Sequence, residues 1–219
     1  MNKAFIFDMD GVLVDSEPCW SKYEIPFFEQ LFGEKIAHAI GSAPGRGRDK
    51  VYDEAIQLGA SINREEYNRG FDEVAKRVYA HSLITPGTDR LIESLTILDF
   101  KIGLVTQSPN SWLQCVLPRF PLREKFESLI CLSERPDLQP KPAGDGYIAA
   151  LNELKCDVQH SFILEDSNYG IAAGKASGAH TIGFRGNLLP GYEQTGADAY
   201  ADTMDDVIKL VESLHGNQS

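Results

Sequence analysis

From Pro86 to the C-terminus, short apolar runs alternate with segments of helical length. Lys101–Thr106, Phe126–Leu132, His160–Leu164 and Ala179–Phe184 each fit a buried strand. Between and after them, Pro86-Gly87 opens a helix carrying Leu91, Leu95 and Leu98, and another begins near Pro109. Further helices are expected over 142–154, 168–177 and 205–214. Runs that are apolar on both faces, separated by helices, belong to a parallel sheet covered on its two sides. Lys3–Phe7 reads as one more such strand.

Residues 15–84 have a different grain. A helix is expected over 16–33, with Ser16 as cap, Pro18 in the first turn and Trp20, Ile25, Phe28 and Leu31 recurring along it. The stretch 41–47, Gly-Ser-Ala-Pro-Gly-Arg-Gly, must be a loop. A second helix is expected over 48–58 and a third over 64–82, where Asn63 and Glu66 have the spacing of an N-terminal cap. No strand is evident. The chain therefore divides into a core of 1–14 and 85–219 and an inserted helical unit of 15–84.

Composition narrows the partners. The formal net charge is −11, unsuited to nucleic acid or an anionic membrane surface. An anionic substrate would need a locally positive site. No apolar run approaches the roughly 20 residues that span a bilayer, and the N-terminal apolar stretch is broken by Asp8 too early for a signal peptide. Cys19, Cys115, Cys131 and Cys156 are scattered and lack the spacing of a disulfide framework or thiolate zinc site. A cytoplasmic location is expected.

In open parallel sheets, ligands bind outside the carboxyl ends of the strands. Polar groups cluster there: Asp8-Met9-Asp10-Gly11, Thr106-Gln107-Ser108, Gln139-Pro140-Lys141-Pro142 and Glu165-Asp166-Ser167. Asp8 and Asp166 at neighbouring strand ends would repel unless a cation lay between them, and hard oxygen donors suit Mg²⁺, which also accepts phosphate oxygens. With the ion and Lys141 neutralising phosphate charge, Asp8 could attack phosphorus as a nucleophile. Asp10 could protonate the leaving oxygen and later deprotonate water. Thr106 and backbone amides would hold phosphoryl oxygens. Singly, each group has an ordinary explanation: a turn Asp, a strand-end hydroxyl, a surface Lys, a helix cap. Together, in this order, those explanations would all have to coincide.

The run Phe7-Asp8-Met9-Asp10-Gly11-Val12-Leu13-Val14-Asp15-Ser16-Glu17 resembles the first motif of the haloacid dehalogenase-like hydrolases, in the subgroup of β-phosphoglucomutase and sugar-phosphate phosphatases. Val105–Ser108 resembles the second motif, Lys141-Pro142 the third, and Leu164–Ser167 with Asn168 and Gly170 the fourth. The resemblance implies a Rossmann-like core with an inserted helical cap, closing on hinges near 13–17 and 82–87. It makes Asp8 the nucleophile and a Mg²⁺ ligand. Asp10 becomes the acid/base, with its carbonyl on the metal. Thr106, with Gln107 beside it, and Lys141 bind phosphate. Asp166 is a metal ligand and Glu165 a direct or outer contributor. Two features depart from the pattern. Pro140 stands where Gly or Ser usually precedes the lysine. Pro142-Ala143-Gly144-Asp145-Gly146 replaces a Pro-x-Pro, and its glycines are expected to loosen the start of the next helix.

Among activities, Asp10 favours phosphoryl transfer over dehalogenation, because a halide leaving group needs no proton. A phosphonate hydrolase would need a cap lysine, and Asp53 lies near where one is sought. A phosphomutase of the β-phosphoglucomutase type is the alternative. Arg48 matches a phosphate-contacting cap arginine of those enzymes, but Trp20 and Pro109 stand where they carry a histidine and a lysine. A non-catalytic binding domain would be expected to lose a motif, and none is lost. The loop at 41–47 lacks the Gly-Lys-Ser/Thr ending of a nucleotide P-loop. Trp20, Tyr23, Phe27 and Phe28 are expected to pack within the cap rather than line a pocket. The expected activity is thus a Mg²⁺-dependent phosphatase of small phosphorylated metabolites, sugar phosphates first, working as a monomer.

Overall fold

The computed structural model describes residues 2–41 and 47–216. The expected loop at 41–47 falls largely outside the described residues. Chain contacts divide the molecule into two compact units, one taking the chain up to Asp15 and from Ile84 onward, the other spanning Ser16–Leu83.

The first unit is built on a six-stranded sheet. Its strands are β1 (Lys3–Phe7), β4 (Phe100–Thr106), β5 (Phe126–Cys131), β6 (Phe162–Glu165), β7 (His180–Phe184) and β8 (Ala199–Ala201). Their order is β5-β4-β1-β6-β7-β8, and every pairing is parallel. Two short strands at the unit boundary, β2 (Val14–Asp15) and β3 (Leu83–Ile84), pair with each other.

Alternation along β1 sends its side chains to opposite faces. Ala4 and Ile6 join Val105, Ile130 and Ile163 in a cluster closed by helix α7 (Asp145–Leu154), with Ala173 of helix α8 (Asn168–Ser177). Phe5 and Phe7 lie on the other face, in ring contact with Phe162 and Phe126. Helices α5 (Thr88–Ile97) and α9 (Met204–Gly216) pack on one another, and a short helix, α6 (Asn110–Val116), follows β4. No helix among the described residues is long and apolar enough to cross a membrane.

Several boundaries differ from expectation for local reasons. The helix expected from 142 begins at Asp145. Prolines at 140 and 142 disfavour helical geometry in the residues before them, and Ala143 N–H instead closes a turn on the Pro140 carbonyl at 3.0 Å. The strand expected from 160 begins at Phe162, because Val158–His160 forms a turn of 3₁₀ helix, and it runs on to include Glu165. The glycines expected to loosen α7 are packed instead. A Cβ on Gly146 would stand 2.9 Å from Leu132 and Val105, and one on Gly144 2.7 Å from the Ser177 backbone.

The second unit is helical: α1 (Glu17–Phe32), α2 (Glu34–Ile40), α3 (Arg48–Gln57) and α4 (Arg64–His81). Ser16 does not cap α1 with its side chain. Its own φ and ψ are already helical, whereas a capping residue needs extended geometry to turn its oxygen onto the first amides. Asn63 has that geometry, and its Oδ1 accepts the Glu65 N–H at 2.7 Å. The aromatic residues of α1 pack within the unit. Trp20 meets Phe71 and Tyr79, and Phe27 meets Phe28, Tyr67 and Phe71.

Candidate functional site

The carboxyl ends of β1, β4 and β6 converge. Asp8 continues β1 for one residue, its N–H donating to the Leu164 carbonyl at 3.0 Å. The chain then turns sharply. Leu13 and Val14 N–H groups return to the Met9 carbonyl at 2.9 and 3.2 Å, and Gly11 adopts φ +74°. That glycine is required twice over. L side chains are strained at such a φ, and a Cβ there would stand 2.0 Å from Asp166 Oδ2.

The loop at 139–142 brings Lys141 into the centre. Its Nζ donates to Asp8 Oδ1 at 2.5 Å, to Glu165 Oε1 at 2.6 Å and to the Val105 carbonyl at 3.2 Å. The Lys141 and Asp8 side chains are 6% and 9% exposed, and that of Glu165 is fully buried. Carboxylate oxygens of Asp8, Glu165 and Asp166 lie within 4.8 Å of one another. Glu165 spends both oxygens: Oε1 also accepts the Tyr147 hydroxyl at 2.6 Å, while Oε2 faces Ser167 N–H and Oγ at 3.4 and 3.3 Å.

The remaining sequence candidates take separate places. Asp10 is outside that trio, and its Oδ2 accepts the Ser108 hydroxyl at 3.0 Å. Thr106 is buried at the end of β4, its Oγ1 accepting Ser108 N–H at 3.0 Å. Gln107 is exposed beside it. Arg48 belongs to the helical unit, where its guanidinium pairs with Asp72 at 3.2 Å and its carbonyl accepts the Tyr67 hydroxyl.

Burial dominates the electrostatics. It raises the Asp8 carboxyl to about 8; Glu165 and Asp10 push the same way, and Lys141 opposes them. Asp166 is held well above the usual carboxylate range, first by burial and then by Glu165 and Asp8. Burial would lower Lys141, but Asp8 and Glu165 more than offset it and keep the ammonium charged. Several carboxylates thus share one ammonium in a desolvated pocket. A divalent cation would relieve that imbalance. The donors are hard oxygens, the kind such ions take, and the missing Cβ of Gly11 leaves Asp166 room to face inward. The residues fit the metal.

Four side chains bonded to these residues escaped the sequence reading. Ser108 holds Asp10, and Tyr147 holds Glu165. Gln194 donates through Nε2 to the Asp166 and Phe184 carbonyls at 2.5 and 2.8 Å, and Asn187 donates to the Gly11 carbonyl at 3.2 Å. Tyr147 sits on the inward face of α7 and looks like ordinary core. Gln194 and Asn187 lie in a loop without periodicity, where one sequence gives no signal. Ser108, within a segment already singled out, was the one that could have been found.

Comparison with known proteins follows the same lines. A family model described as haloacid dehalogenase-like hydrolase matches residues 5–184. Hexitol phosphatase B of Escherichia coli (strain K12) is 30% identical over 190 residues, covering 82% of each chain. The phosphorylated carbohydrates phosphatase of Thermotoga maritima is 28% identical over 189 residues, covering 82% of this chain and 83% of its own. Among solved structures, CbbY from Rhodobacter sphaeroides in complex with phosphate has a TM-score of 0.75 at 21% identity, covering 94% of this chain and 96% of that one.

Proposed function

The chain belongs to the haloacid dehalogenase-like hydrolases, and from that premise we propose that it is a Mg²⁺-dependent phosphatase of small phosphorylated metabolites, sugar phosphates foremost. The observation that carries the reading is the buried placement of Lys141 on Asp8 beside the Glu165 and Asp166 carboxylates. A carboxylate can approach an anionic phosphoryl group only where positive charge offsets the repulsion. The relatives named for phosphorylated carbohydrates support the substrate class.

On this reading a carboxylate oxygen of Asp8 attacks phosphorus, and the bond from phosphorus to the ester oxygen breaks. The leaving oxygen takes the proton of Asp10, which Ser108 holds in place at 3.0 Å. Asp10 then takes a proton from water as the resulting hydroxide attacks the phosphorus. The bond to Asp8 breaks, and inorganic phosphate leaves. Lys141 and Thr106 hold the phosphoryl oxygens through both steps. Asp8 and Asp166 would hold Mg²⁺, with the Asp10 carbonyl and Glu165 as further oxygens. The ion would supply charge neutralisation for the transferring group. The choice among esters is assigned to the inserted helical unit, and the enzyme to the cytoplasm, as a monomer.

The test is phosphate release from a panel of phosphate esters, with Mg²⁺ or with EDTA, for wild type and Asp8→Asn. We expect release by the wild type that needs the ion, and a loss on the order of 10³-fold or more in Asp8→Asn without a change in folding. Full activity in Asp8→Asn would sink the covalent mechanism.

A further inference from the structure

Tyr147 plays no part in the steps above, yet it is joined to the residues that perform them. Helix α7 turns Tyr147, Ala150, Leu151 and Leu154 toward the core, and the Tyr147 ring is fully buried. A buried phenol needs a partner for its hydroxyl. Here the partner is Glu165 Oε1 at 2.6 Å, the same oxygen that accepts Lys141 Nζ at 2.6 Å. The Lys141 ammonium also stands 5.2 Å above the centre of the Tyr147 ring. Its N–H groups face three acceptors, Asp8, Glu165 and the Val105 carbonyl, and the one on Asp8 is the one an arriving phosphoryl oxygen would share. One of those acceptors is itself fixed by the tyrosine.

We propose that Tyr147 is a positioning residue for phosphoryl transfer. Its hydroxyl locks Glu165, and through Glu165 and the ring face it aims the Lys141 ammonium at the Asp8 oxygen where the phosphoryl group must arrive. The proposal rests on the phosphatase reading. A lysine stem has four rotatable bonds, and a phosphate-binding ammonium works only where it is held. The competing account is that the carboxylate merely satisfies a core tyrosine. On that account, removing the hydroxyl costs stability and leaves the handling of phosphate alone.

Tyr147→Phe keeps the ring and deletes the link. The experiment uses the full chain with Mg²⁺. It measures kinetics on p-nitrophenyl phosphate, calorimetric binding of inorganic phosphate, and melting followed by circular dichroism. We expect kcat/KM about tenfold lower, as for loss of other outer contacts to site groups, with phosphate binding weakened in parallel. In a Lys141→Ala background the same substitution is expected to change phosphate binding no further, because the tyrosine acts through the lysine. Unchanged kinetics with a lowered melting temperature would overturn the proposal. So would an equal loss in both backgrounds, or a Tyr147→Phe variant that fails to fold. If the wild type released phosphate from no ester, the phosphatase reading would fall, while the calorimetric cycle would still decide the role of Tyr147.

Discussion

Asp10 and Asp8 stand two residues apart, but their surroundings differ. Asp8 is buried against Lys141, and the proposed reading makes it the oxygen that attacks phosphorus. Asp10 is half-buried, its Oδ2 accepts the Ser108 hydroxyl, and the proposed reading makes it the group that carries the proton. A proton donor matters most where the leaving oxygen is basic. Asp10→Asn is therefore expected to slow alkyl phosphates by about 10²- to 10⁴-fold and activated aryl phosphates far less. Steady-state rates on glucose 6-phosphate and p-nitrophenyl phosphate would reveal the split. An equal loss on both would show that Asp10 positions rather than protonates.

At the scale of elements, α8 supplies a contest between propensity and space. Ala is a better helix former than Gly by about 1 kcal/mol, so Gly170→Ala in α8 would stabilise an unobstructed helix. Here a Cβ would stand 1.9 Å from the Glu165 carboxylate carbon and both its oxygens. Overpacking of this kind costs about 1–3 kcal/mol, and the atoms displaced are those that hold Lys141. Gly170→Ala is expected to lower both the melting temperature and activity. A variant more stable than wild type would mean that the carboxylate moves aside freely.

That glycine was visible in the sequence only as part of a motif, and the same holds for much of the site. The strands β1, β4, β5, β6 and β7 are legible because each is a short, mainly apolar stretch set between segments of helical length. The three-residue β8 has no such run, and α2 is seven residues with a short apolar pattern, so neither was foreseen. The sequence marks where polar groups meet at strand ends. It is silent on Tyr147, because a residue at core spacing gives no sign of what its hydroxyl touches.

For the whole molecule, burial of the site carboxylates ties stability to pH. With the folded Asp8 carboxyl raised from 3.8 to about 8, chiefly by burial, the folded state keeps a proton that the unfolded state has already lost across that window. Stability from such a group is complete below the unfolded value and is lost as pH rises through the folded one. Asp166, also raised, acts in the same sense. Asp198 acts in the opposite sense. Burial would raise it, but Lys175 and the Thr181 N–H at 2.8 Å bring it below 3.8, so its contribution is lost only as pH falls through that lower value. The chelated protein should therefore be most stable in mild acid. Its melting temperature in EDTA should fall by on the order of 5 °C between about pH 5 and about pH 8. On the proposed reading Mg²⁺ would bind the ionised carboxylates of the folded state, so it should recover most of that loss, and more of it at the higher pH. Asp8→Asn should flatten the fall in EDTA and weaken the response to the ion. Differential scanning calorimetry across this pH range, with EDTA and with Mg²⁺, reads all of these. A melting temperature that climbed through the window in EDTA, or ignored the ion, would mean that Lys141 alone neutralises the cluster.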